Sequence, residues 1–184
     1  ERLRITSAGK FGINKTAPAS WLHVVGSNYA TLKLENNDGT DNGPYIEFYN
    51  NTGSPADNDY AGIINFQCNN DNAEDINFAG IRGRAVDVSD GSEDGTLTFH
   101  TRAAGQFGER LKIASDGKIG INESTPTYQL HVGGEGIAVD RNSGDPYIAL
   151  RTSGSTKASI YGGAATGLRF WTLPSGGSLT ERVR

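Results

Sequence analysis

The chain has 184 residues and a formal net charge of −4, from 17 basic and 21 acidic residues. Apolar residues make up 35% of it, below the roughly 45–50% (glycine included) of globular domains, and 25 residues are glycine. The charges are well mixed and the apolar runs are short, which argues against nucleic-acid binding and membrane insertion. A single cysteine, Cys68, excludes an internal disulfide framework.

The apolar residues lie in short alternating runs separated by turn residues, a pattern typical of β-strands. Gly12 lies inside one such run and indicates a bulge or a close approach of the backbone. Helix is expected to be minor. From the N-terminus we predict a strand at 3–5, a hairpin-type turn at 7–10, a strand at 11–13, a loop at 14–20 and a strand at 21–24. Further strands are predicted at 30–35, 45–50, 61–67, 76–88, 96–102, 136–140, 147–152, 158–161 and 167–173.

An internal repeat organises the chain. Residues 1–24 and 109–132 match without a gap and are identical at 14 of 24 positions, and a third copy opens at Glu181. We call the segment that is repeated at 1–24 and 109–132 the frame. It predicts a first module at 1–108, a second at 109–180, and the start of a third at 181–184. The absence of methionine suggests that the chain is an internal piece of a longer protein.

The stretches between the frames are related as well. Leu97–Thr101 matches Leu168–Thr172, and Ala61–Ile63 resembles Ala158–Ile160. The first module is the longer one, so we predict an insertion in it at about 64–90.

Each predicted strand offers about two inward apolar residues, which contribute roughly 1.5–3 kcal/mol each when fully buried. Ordering the backbone costs about 1–2 kcal/mol per residue, so a single copy has too little core. Wrapping identical chains around an axis would share one core and pair open edges. We therefore predict an all-β, repeat-built fibre of short antiparallel strands, elongated and intertwined as a homotrimer. The predicted trimer-core residues are Leu3, Ile5, Ile13, Leu22, Val24, Leu111, Ile113, Ile121, Leu130 and Val132.

The frame, written E-R-L-[RK]-I-x-S-x-G-K-x-G-I-N-x-x-x-P-x-x-x-L-H-V, resembles the repeat of phage tail fibre and tailspike-type proteins, especially from marine and cyanobacterial phages. Asn14 and Asn122 stand where that repeat often has Gly. The resemblance implies a homotrimeric, β-spiral or β-prism-like fibre that serves host attachment, located extracellularly on the virion. Its implied partners are adjoining fibre or tail proteins and a host surface glycan.

Two patterns raise the possibility of a metal site. Asp90, Ser92 and Asp94 match the first half of a calcium loop, but the closing bidentate Glu is missing, and a solvated turn is the favoured interpretation. His23 and His131 recur at one frame position, where a structural hydrogen bond is favoured over an axial metal. We predict no cofactor. Cys68, in a predicted strand without an activating base, is expected to be a buried or inert thiol.

The sequence contains no nucleophile elbow, phosphate loop or metalloprotease helix, so we predict a structural protein and not an enzyme. Three alternatives stay open: a glycan-binding module that uses Trp21 and Trp171, a depolymerase similar to tailspike enzymes, and a non-viral cell-surface adhesin fibre.

Overall fold

A computed structural model describes residues 1–26, 32–37, 39, 43–134, 136–139, 147–152, 155–163, 167–172 and 180–183. Within these residues the chain is all-β, with no helix, and most of its strand pairs are antiparallel. It forms two compact units, 1–49 and 50–184. The strands are β1 (Leu3–Ile5), β2 (Phe11–Ile13), β3 (Leu22–Val24), β4 (Tyr60–Asn69), β5 (Asp75–Asp87), β6 (Asp94–Ala103), β7 (Gln106–Ile113), β8 (Ile119–Ile121), β9 (Leu130–Val132), β10 (Tyr147–Thr152), β11 (Ser155–Gly163), β12 (Gly167–Thr172) and β13 (Thr180–Val183).

The first unit contains a three-stranded sheet in the order β1-β2-β3. β1 and β2 form an antiparallel hairpin, closed by a hydrogen bond from Thr6 N to Lys10 O at 3.0 Å. Gly9 takes a φ of 77° in this turn, a left-handed conformation that glycine adopts without steric cost. The chain then crosses through a loop, and β3 pairs with β2 in parallel. The predicted antiparallel arrangement holds for most strand pairs but does not extend to the third strand of the frame, which pairs in parallel.

The frame in the second unit repeats this arrangement. β7 and β8 pair antiparallel, β9 pairs parallel with β8, and Ala114 N donates to Lys118 O at 2.9 Å in the intervening turn. Asn122 has a φ of 50°, and its counterpart Asn14 has a φ of 52°. Asparagine thus occupies a left-handed position, which it tolerates better than most residues. The sequence repeat is confirmed as a repeat of local structure.

β7 to β9 continue a larger sheet of six strands, in the order β4-β5-β6-β7-β8-β9. A separate four-stranded sheet has the order β10-β11-β12-β13. Its register places Ile160 opposite Phe170, as Ile81 lies opposite Phe99 in the larger sheet. β10 and β11 are therefore the counterparts of β4 and β5.

This register corrects two expectations about the variable stretches. Ala158–Ile160 corresponds to Ala79–Ile81 and not to Ala61–Ile63. Ile64 lies opposite Ile81 as Ile148 lies opposite Ile160, so Ile64 and Ile148 are equivalent positions of the two modules. Most of the extra length of the first module therefore lies before Ile64, and not within the predicted insertion at 64–90.

Three predicted strands are wrong where the structure describes them. Residues 32–35, 45–50 and 136–139 form no strand, although their sequences alternate. Alternation alone does not make a strand, which also needs a neighbouring strand to pair its backbone groups. The other predicted strands are present within a few residues of their expected bounds.

Candidate functional site

One face of the six-stranded sheet is a continuous apolar surface, which we call the apolar face. Residues directly opposite one another on neighbouring strands point to the same side of a sheet. The register therefore aligns one apolar residue from every strand in a single transverse row. That row is Ile64, Ile81, Phe99, Leu111, Ile121 and Val132, and beside it lie Leu97, Ile113, Ile119 and Leu130.

No described residue covers this face. Within the described part of the chain no hydrophobic side chain is buried, whereas Phe66 is 54% exposed and Leu130 is 56% exposed. The buried polar residues there are Thr98 and Ser159. The sheet therefore has the two-faced alternation of a sheet that packs against another layer, and the described residues supply no such layer.

The other two sheets have equivalent faces. In the first unit Leu3, Ile13 and Val24 form one row, and Ile5, Phe11 and Leu22 form the next. In the four-stranded sheet the row is Ile148, Ile160 and Phe170. All ten residues predicted for the trimer core lie in such rows. Their packing between chains stays a prediction.

The exposed area of the chain is unusually large. It totals 14111 Å². A folded monomer of 19.6 kDa is expected to expose about 8,600 Å².

The frame histidines have structural roles. Ala19 N donates to His23 Nδ1 at 3.2 Å, and Thr127 N donates to His131 Nδ1 at 3.4 Å. Each ring therefore anchors the loop that leads into its own strand, as the structural interpretation predicted. His131 also lies 3.9 Å from the carboxylate of Glu123, whose pKa is lowered mainly by the hydrogen bond from Thr125 N.

The two tryptophans proposed for glycan stacking are placed differently. Trp21 is 74% exposed and lies beside Gly9. The backbone of Trp171 lies opposite Ser159, but its side chain is outside the described residues.

The candidate calcium ligands lie at the turn between β5 and β6. Ser92 N donates to Ser89 O at 3.0 Å, so this turn is closed by its own backbone. No group of three or more His, Cys, Asp or Glu side chains arranged to hold a metal occurs in the described ranges. Cys68 is exposed on β4, the outermost strand of its sheet, so the thiol is not buried, whereas its expected inertness stays a prediction.

Sequence reasoning missed one cluster, on the side of the six-stranded sheet opposite the apolar face. It joins Tyr60, Arg82, Arg84, His100 and Phe107 from four strands. The alternation in Ile81–Arg84 and Leu97–His100 carried the signal, since every second residue is polar, but only the register shows that these residues meet.

No protein-family model matches this chain, and the curated proteins contain no match to it. In the described part of the chain there is no helix of the length and hydropathy needed to span a bilayer.

Proposed function

We propose that this chain is a structural segment of a bacteriophage tail fibre, that it assembles as a homotrimer, and that it takes part in host attachment on the virion. The observation that carries the proposal is the uncovered apolar face in a chain whose described residues bury no hydrophobic side chain. No enzymatic step is part of it. The neighbouring components are adjoining fibre or tail proteins.

Copies of the same chain are the occupant that fits the apolar face. Aligned apolar rows recur in all three sheets of the chain. A second copy of the chain therefore presents an apolar surface that can cover the apolar face of the first. Burial of apolar area is the main favourable term in such association, at about 25 cal/mol per Å².

We propose three chains because three copies of one sheet, one from each chain, can be set around an axis. Each copy then directs its apolar face inward and its polar face outward. The resemblance of the frame to phage fibre repeats supports the same number. The open edge at β4 adds a reason for neighbouring chains to pair, since an unpaired strand edge is a site of uncontrolled association.

The mass of the native particle tests the assembly. Sedimentation equilibrium and native mass spectrometry are expected to give three times the chain mass of 19.6 kDa. The trimer should persist on dilution, because obligate subunit interfaces dissociate slowly. A folded particle with the mass of one chain would contradict the proposed assembly itself. A stable dimer would contradict only the proposed number of chains.

The viral assignment needs a separate test. Antibodies raised against the purified chain are expected to decorate the tail fibres of virions in electron micrographs and to slow adsorption to host cells. Labelling of bacterial surfaces in uninfected cultures would instead support the alternative of a cell-surface adhesin fibre.

A further inference from the structure

The face of the six-stranded sheet opposite the apolar face carries an ordered group of cations and rings. The Tyr60 hydroxyl accepts hydrogen bonds from Arg84 Nη2 at 2.6 Å and from Arg82 Nη1 at 3.3 Å. Both guanidinium groups also lie near the tyrosine ring, at 4.6 Å and 5.5 Å from its centroid. Such contacts fix the two cations in place.

Phe107 continues the stack across the neighbouring strands. Its ring lies 5.1 Å from the Arg82 guanidinium and stacks on His100 at a centroid distance of 5.4 Å and an angle of 13°. Gly80 makes room for it, since a Cβ there would lie 3.2 Å from the end of the phenyl ring. Arg82 is thus held between two aromatic rings, and its Nε–H is buried without a hydrogen-bond acceptor among the described residues.

Beside this stack lies a shallow cavity of roughly 110 Å³. Its lining includes Arg84, Thr98, His100, Glu109 and Lys112. Thr98 and Lys112 lie directly opposite one another, and His100 lies opposite Glu109, so the cavity spans β5, β6 and β7. It offers charged donors, hydroxyl groups and one carboxylate.

The charges that line the cavity are not neutralised by one another. In the described chain neither Arg84 nor Lys112 has a carboxylate within 4.0 Å, and Glu109 makes no hydrogen bond or ion pair. The first frame differs at the equivalent positions, where Glu1 and Arg4 close into an ion pair at 2.6 Å. In the second frame Lys112 Nζ donates instead to the carbonyl oxygen of Ser124 at 2.9 Å, and the equivalent pair of Glu109 and Lys112 is not formed.

His100 adds no positive charge at neutral pH. Burial, followed by the charges of Arg82 and Arg84, lowers the pKa of His100 below its ordinary value of 6.5. The neutral ring shares a hydrogen bond of 3.0 Å with the Thr98 hydroxyl. The cavity therefore combines two cations with a hydrogen-bond acceptor, Glu109, and uncharged polar groups.

We propose that this cavity binds an acidic saccharide, a sugar that carries a carboxylate or sulfate group. Arg84 and Lys112 hold the anionic group, while Glu109 accepts hydrogen bonds from sugar hydroxyls. The aromatic stack keeps Arg84 and Arg82 oriented before the ligand arrives, which lowers the entropic cost of binding. This inference rests on the proposed role in host attachment for its ligand class, and it adds a site distinct from Trp21 and Trp171.

The cavity favours a saccharide over a nucleic acid. A phosphate backbone is recognised by a run of cations along its length, whereas here Glu109 lies beside Lys112 in the lining of the cavity. The chain is also acidic, at −4. A carboxylate inside the cavity can accept hydrogen bonds from the hydroxyl groups of a sugar.

Isothermal titration of the native particle with short oligosaccharides tests the inference. The probes are a glucuronate-containing tetrasaccharide, a sulfated tetrasaccharide and the neutral cellotetraose, with a single-stranded oligonucleotide as a fourth arm. The acidic tetrasaccharides are expected to bind, more weakly at high salt, and the neutral one to bind at least about tenfold more weakly. The carboxylate and sulfate arms show which anionic group the cavity prefers.

Two charge-removing variants locate the site. Lys112→Gln and Arg84→Gln are each expected to weaken acidic-saccharide binding by about tenfold, because each removes a charge-assisted hydrogen bond. Lys118→Gln, which removes an equal charge from an exposed turn, should leave binding unchanged. Circular dichroism and particle mass, measured on each variant first, separate lost binding from lost folding or assembly.

Three results would overturn the inference: no binding of either acidic probe, equal binding of the neutral probe, or unchanged affinity in a folded Lys112→Gln particle. Tighter binding of the oligonucleotide, lost in the same variants, would transfer the site to nucleic acid. Each of these can occur while the particle mass is still that of a trimer, so the assembly proposal stands or fails separately.

Discussion

A β-carbon on Gly120 would overlap the backbone carbonyl oxygen of Glu123. The same relationship holds in the first frame, between Gly12 and the carbonyl of Lys15. In both copies the loop that leaves β2 or β8 folds back tightly against its own strand, and this fold directs the chain into the parallel strand. The glycine inside each short strand is therefore a requirement of the crossover, and it explains why an otherwise poor strand residue recurs there.

The first prediction concerns this close approach. Gly120→Ala is expected to destabilise the particle by about 2–3 kcal/mol, because the added methyl group forces the backbone of the loop to move. Thermal unfolding followed by circular dichroism at fixed protein concentration measures the loss. Gly117→Ala is the matched control. Nothing lies near its Cβ position, so only the left-handed φ of 80° costs energy, about 1 kcal/mol. An equal loss in both variants would contradict the crossover argument.

The second prediction concerns the asparagine at the left-handed position of the frame. Asn122 has a φ of 50°, so Asn122→Ala is expected to cost about 1 kcal/mol, whereas Asn122→Gly should be nearly neutral. Urea denaturation of the three proteins distinguishes these outcomes. If alanine were tolerated as well as glycine, the left-handed backbone at this position would not be what selects asparagine.

The third prediction concerns the apolar face. Ile121→Asp is expected to abolish assembly, because it places one carboxylate from each chain against the shared apolar surface, where a charge has no partner. Ser115→Asp, which adds the same charge at an exposed turn, should assemble normally. Sedimentation velocity measures both. Full-sized particles of the Ile121→Asp variant would mean that this face is not the interface.

The fourth prediction concerns pH. The folded-state pKa of His100 lies below 6.5, with burial as the main cause, so the unfolded chain takes up the proton first as the pH falls. The contribution of the neutral ring to stability is therefore complete above pH 6.5 and is lost as the pH falls from there toward the lowered value. Urea denaturation at a series of pH values should show this decline in the wild type. His100→Gln is expected to lose this part of the pH dependence, and identical slopes in the two proteins would exclude His100 as its source.

The local structure of the frame was largely predictable from sequence, because turn chemistry and alternation act over a few residues. Gly9 and Gly117 mark the hairpin turns, and both adopt the positive φ that such turns require. The parallel direction of β3 and β9 was not predictable. It depends on how the loops fold over Gly12 and Gly120, which is a contact between backbone atoms and leaves no pattern in the side chains.

The cluster around Tyr60 was not predictable for a different reason. Arg84 lies 24 residues from Tyr60 along the chain, and only the register of β4 against β5 makes them neighbours. Two shifts of register occur in this strand pair, and a shift of one residue would turn a side chain to the opposite face. Sequence alternation can therefore identify which strands have two distinct faces, but it cannot identify which residues meet across them.

β7 runs without interruption through the point where one sequence module ends and the next begins. It pairs with β6 of the first module on one side and with β8 of the second on the other. If a different sequence were joined to the chain at Glu109, the two halves of β7 would still form one strand, provided that the new sequence keeps the frame. The frame thus keeps the sheet continuous across the point where stretches of different length adjoin, so that a change in those stretches leaves the strand pairing at the junction intact.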